Sequence, residues 1–238
     1  MKLYDKLIKK VENLQNEDYN TFKVAPPNAK FIGHKQELVL PSETAFELGA
    51  RNNPSISFFL ITEDEALVPQ DEILLLGKDI SEIKGDSPFA RITLIRTEDI
   101  MSQGEQAAYH AIEGITLGKY DVAPKGYMLR ASSLSQREQV RVSKKAVKSG
   151  LSFADVGAQF IEQYHSHEQV KAVKIVFITL DTFPYEQLQD IATEAHEITR
   201  ALDKIISDLD FDCITCDWKV ICDDTPGMRE LHKGIGKV

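Results

Sequence analysis

Ala172-Val173-Lys174-Ile175-Val176-Phe177-Ile178-Thr179 is an almost unbroken apolar run of strand length, set between two stretches with a different rhythm. Residues 152–164 before it and 185–209 after it carry apolar side chains at helical spacing. A short continuous apolar run bounded by helices is the pattern of a strand buried on both faces. Helix, strand, helix therefore predicts an α/β layer in this part of the chain.

Upstream, residues 38–96 have the texture of strands. Residues 56–61, 73–76 and 90–95 are short apolar or alternating runs, separated by Glu63-Asp64-Glu65, Gly77-Lys78-Asp79 and Lys84-Gly85-Asp86. Residues 103–115 predict a helix, and Gly114, Gly118, Pro124 and Gly126 mark a looser join. At the N-terminus, Leu3, Leu7, Ile8, Val11 and Leu14 form one stripe of an amphipathic helix. Ala25-Pro26-Pro27-Asn28 then breaks the pattern as a connector. The expected fold is a two-part mixed α/β (α+β) protein, β-rich in its first half and helix-rich in its second. Its expected segments are 1–36 (helix and connector), 37–122 (β-rich), 123–212 (α/β) and 213–238 (a cysteine loop).

The chain of 238 residues is 42% apolar and has a formal charge of -9. No run of eighteen apolar residues and no secretory pattern occurs, so the expectation is a cytoplasmic protein without membrane spans. The acidic balance argues against a nucleic-acid partner, which needs a basic face to displace counterions. Phosphate-loop, dinucleotide, His-Glu-x-x-His and nucleophile-elbow motifs are all missing from the sequence. His165 and His167 fall at a helix end, where a cation suits the dipole, and His196 falls inside a helix; none needs chemistry.

All three cysteines lie near the end of the chain, in Cys213-Ile-Thr-Cys216-Asp-Trp-Lys-Val-Ile-Cys222. A Cys-x-x-Cys turn can present two thiolates to one metal, and Cys222 and His232 would complete four ligands. Pro226 and Gly227 supply a return turn toward His232. The plainer reading is three small buried hydrophobes with a chance spacing. Arg137, Arg141, Lys144, Lys145 and Lys148 form the one dense basic segment. With Ser143 capping a short helix that ends at Gly150, the segment suits a phosphate or, more plainly, a solvated helix face.

Gly77-Lys78-Asp79-Ile80, the segment from Arg141-Val142-Ser143-Lys144 to Ser149-Gly150, and Val173-Lys174-Ile175-Val176-Phe177-Ile178-Thr179 occur in that order, with the cysteine segment behind the long helix. Together they resemble the central domain of acetyl-CoA synthase, the nickel subunit of the carbon monoxide dehydrogenase/acetyl-CoA synthase complex. The likeness covers residues 41–232. It implies that Cys213, Cys216 and Cys222 match three thiolate ligands of the family's four-iron iron-sulfur cluster (4Fe-4S), Cys216 being the one that also bridges to nickel. His232 stands where the family has a fourth cysteine, and three thiolates with one imidazole suit either an iron-sulfur cluster or zinc. The spacing between Cys216 and Cys222 is shorter than the family's. Its Cys-Gly-Cys motif for the distal nickel does not occur in these residues, so nickel is not expected. Arg137, Arg141, Lys144 and Lys145 border the region that the family links with coenzyme A, although Gln139-Val140 replace its aromatic residue. The implied function is a metal-binding accessory or scaffold protein of one-carbon metabolism that meets a corrinoid protein. The alternative is an enzyme-complex subunit that completes its active site with another chain.

Overall fold

The computed structural model describes residues 2–14, 20–50, 52–98, 100, 102, 104–132, 136–207, 219–225 and 227–228. They form a mixed α/β fold with most strands early and most helices late. Strands β1 (Asn20–Phe22), β2 (Thr44–Leu48), β3 (Ser55–Thr62), β4 (Glu72–Leu76) and β5 (Phe89–Thr97) precede β6 (Tyr127–Ser132), β7 (Arg137–Ser143) and β8 (Val170–Ile178). The helices are α1 (Asp5–Leu14), α2 (Glu105–Leu117), α3 (Lys144–Lys148), α4 (Phe153–Tyr164), α5 (Tyr185–Ser207) and α6 (Lys219–Asp224).

The apolar run that opened the sequence reading becomes β8, the middle strand of a five-stranded sheet ordered β1-β4-β8-β5-β3. It runs parallel to β4 and antiparallel to β5. Val173, Ile175, Val176, Phe177 and Ile178 are fully buried, as a central strand covered on both faces requires. Register puts Leu75, Phe177 and Arg91 in one row, with Ile73, Ile175 and Thr93 in the next. Both rows lie on the same face, because side chains alternate along a strand.

Helix α4 packs on β8 and β4. Its start is fixed twice over. The Ser152 hydroxyl accepts from Asp155 N at 3.2 Å while Ser152 N donates to the Asp155 carboxylate at 3.0 Å, a reciprocal capping box. Asp79, from the turn after β4, also accepts from Phe153 N at 2.9 Å, so the Gly77-Lys78-Asp79-Ile80 segment anchors this helix to the sheet. A Cβ on Gly157 would stand 2.9 Å from Ile73 Cδ1, and the close helix-to-strand approach depends on its absence. Phe89, Phe153 and Phe177 stack beneath, with ring centroids 4.7 Å apart for the Phe153–Phe177 pair.

A smaller antiparallel sheet has the order β2-β7-β6. Both sheets take strands from either side of the 118–126 join: β8 enters the centre of the first, and β2 pairs with β7 in the second. The expected segments 37–122 and 123–212 are thus interleaved through shared sheets. The physical reason lies in β8, an apolar run buried on both faces, which takes the centre of the sheet between β4 and β5. The N-terminal stripe packs as expected. Leu3, Leu7, Ile8 and Val11 are buried, α1 lies on α5 and β3, and the Tyr4 hydroxyl meets Thr199 Oγ1 at 3.0 Å.

Candidate functional site

Of the four expected metal ligands, Cys222 is among the described residues; Cys213, Cys216 and His232 lie outside them. Cys222 occupies α6, a helix where the sequence reading expects a loop, and is 5% exposed. A turn of helix over residues 219–224 lets Cys222 face inward while Val220 points outward, 71% exposed. Helix α6 packs on α5, and Lys6 Nζ from α1 donates to Asp224 O at 2.9 Å, which holds the segment against the body. The Cys222 side chain belongs to the hydrophobic core, the environment of a small buried hydrophobe. Among the described residues no three His, Cys, Asp or Glu side chains stand close enough to hold a metal.

The basic segment divides between two elements. Arg137 and Arg141 lie on β7, not on a helix, and Lys144 and Lys145 open α3. Ser143 caps α3 as expected, accepting from Ala146 N at 3.1 Å. Alternation along β7 buries Glu138, Val140 and Val142 and turns Arg137, Gln139 and Arg141 to the other face. Arg141 is paired with Glu47, its cross-strand neighbour on β2, and Lys144 Nζ donates to Ser42 O at 2.9 Å. Arg137 stands at the opposite end of β7 from Lys144, about 20 Å away along the strand. The four cations do not form one patch.

The first buried position of β7 carries a carboxylate. Glu138 is fully buried and accepts two hydrogen bonds from Arg91 of β5, from Nε at 2.8 Å and from Nη2 at 2.5 Å. Arg91 also donates to Thr93 Oγ1 at 3.0 Å and lies 4.2 Å from the centroid of the Phe160 ring. This fork ties the two sheets together. Burial by itself would push the Glu138 carboxyl up, but the Arg91 charge and hydrogen bonds, helped by Lys119 and the Ser57 hydroxyl, hold it below its ordinary value. The Tyr127 hydroxyl is buried beside them with no hydrogen-bond partner among the described residues.

Ser57 leads from this pair to the surface. It lies in the wall of a cleft of about 260 Å³ between β3, the 3₁₀ turn Gly118–Tyr120, the start of β7 and one face of α5. The polar lining is Ser57, Thr116, Lys119, Arg137, His196 and Thr199, and the apolar walls include Phe58, Phe59 and Ala195. Leu117 and Tyr120 stand at the rim, 52% and 49% exposed. Burial holds the Lys119 ammonium below its ordinary pKa, and Arg91 adds to this against the pull of Glu138. Burial and then Arg200 likewise lower His196, against Glu197. Gln136, also in the lining, has a φ of 49°, a left-handed backbone that a side chain bearing residue adopts at some strain.

The cleft is not legible in the sequence, because its residues come from four distant elements with no shared spacing. The alternation of Glu138, Val140 and Val142 is the one local signal that a strand begins there. No family model and no curated protein matches the chain.

Proposed function

We propose that the chain is an acetyl-CoA synthase-like metal-binding accessory or scaffold protein of one-carbon and corrinoid metabolism, holding an iron-sulfur cluster or zinc through Cys213, Cys216 and Cys222. The observation that carries the reading is the cysteine spacing itself, placed directly behind the long helix α5. Cys222 lies on α6, which packs on α5, and thiolates at the spacing of Cys213, Cys216 and Cys222 are strong ligands for either metal. When bound, the metal would join the chain behind α5 to α6 and contribute to folding in this region. The chain's own part is to hold the thiols together and present the surrounding surface to a corrinoid protein or an enzyme subunit.

Anaerobic purification with metal analysis tests this. About one metal centre per chain is expected, iron with sulfide or zinc alone, and it is lost in Cys213→Ser and Cys216→Ser while the fold of the α/β body persists. Three thiols that titrate freely in native, metal-free protein would overturn the reading. Nickel bound together with iron would instead favour the subunit of an enzyme that completes its site with another chain.

A further inference from the structure

We propose that the cleft between β3, the Gly118–Tyr120 turn and α5 binds a small carboxylate with an apolar body, its head group meeting Lys119 and Arg137. The protein carries a formal charge of -9, yet the lining of this cleft includes Lys119, Arg137 and His196 and no Asp or Glu among the described residues. The carboxylate behind it, Glu138, is already held by both arms of Arg91, so the wall presents a surplus of positive charge to whatever enters. A concave, low-dielectric surface concentrates that field on a small anion.

Size and lining then narrow the class. About 260 Å³ lies below the roughly 300–1,000 Å³ of pockets for drug-sized molecules, which suits a metabolite of a few carbons or one ring. The walls formed by Phe58, Phe59, Leu117, Tyr120 and Ala195 would take an apolar body. A bare inorganic anion would leave them wet. Lys119 is the main partner. Its ammonium is partly withdrawn from water and stands 5.1 Å from the Tyr120 ring, so an incoming carboxylate replaces hydration it has already lost. Arg137 donates from Nη2 to Asn53 O at 3.4 Å, a long contact, and has no ion pair among the described residues that a turn toward the ligand would break. The left-handed backbone at Gln136 sits beside it, where local strain is held at the rim of the cleft.

Titration of aryl and branched-acyl carboxylates, phenylacetate and 4-methylpentanoate among them, against their matching carboxamides tests the site by ligand-observed NMR. At least one acid is expected to bind on the order of tenfold more tightly than its amide, as a charge-assisted hydrogen bond implies. Lys119→Met should abolish that difference. Arg137→Gln, whose side chain leaves β7 on the face opposite Glu138 and which should fold normally, should reduce it while leaving the amide unaffected. Absence of binding by every acid, equal binding of acid and amide, or an unchanged preference in both variants would overturn the proposal.

Discussion

Glu138→Ala is expected to lower folding stability by about 3–5 kcal/mol, because it leaves the Arg91 guanidinium charged and without its partner in a site closed to water. The pair is buried on both sides, 1% exposed each. Removing the pair as a unit, Arg91→Met with Glu138→Leu, should cost far less than the single change and could be neutral. Urea unfolding of the three proteins measures both effects; a single variant no weaker than the double one would show that the charge is not trapped. The pair also sets a pH dependence. Folding holds the Glu138 carboxyl below its ordinary 4.5, so its contribution is complete above that value and fades as the pH falls through the lower folded value. Glu138→Gln should lose this acid-side slope relative to wild type. A slope unchanged between pH 5 and pH 3 would mean that other carboxylates supply it.

Phe153→Ala is the second large effect, about 3–5 kcal/mol. The ring is fully buried and packs between Phe89 and Phe177, at 6.1 and 4.7 Å, so deletion opens a cavity where α4 meets the central strand. The backbone bond from Phe153 N to Asp79 does not involve the ring and should survive. Phe153→Leu retains much of the volume and should lose clearly less than alanine. Denaturant midpoints that shift without a change in m would place the loss in the folded state's stability. Equal losses for leucine and alanine would mean that the ring's stacking, not its volume, is what counts.

The parts of the fold that were readable in advance are those whose signal is local. The apolar run of β8, the short runs of β3, β4 and β5, the N-terminal stripe of α1, and the Ser143 cap all state their structure within a dozen residues. Strand β7 was hidden because one of its inward positions is a carboxylate. Glu138 resembles a surface residue until Arg91, 47 positions earlier, is brought against it. A run containing Arg137, Arg141, Lys144 and Lys145 then suggests a charged helix face, although its first half is extended. Strand β1, three residues long, is too short to show any period. Sheet order was equally hidden, since pairing depends on which distant edges fit. At the sites, spacing alone displayed the cysteines, whereas Ser57, Lys119 and His196 meet only through the fold.

The position of β8 has a further consequence during synthesis. The four other strands of the larger sheet all leave the ribosome before it, and the last to appear belongs in the middle. Until then β1 can pair only with β4, and β3 only with β5, leaving two apolar ribbons with open edges. At about 5–20 residues per second, roughly 4–16 s separate the end of β5 from the end of β8. Throughout that interval the inner edges of β4 and β5 are templates for strands of neighbouring nascent chains. A polysome translating this message would therefore carry its greatest risk of misassembly just before residue 178 emerges, and holdase chaperones should associate with the chain most strongly there.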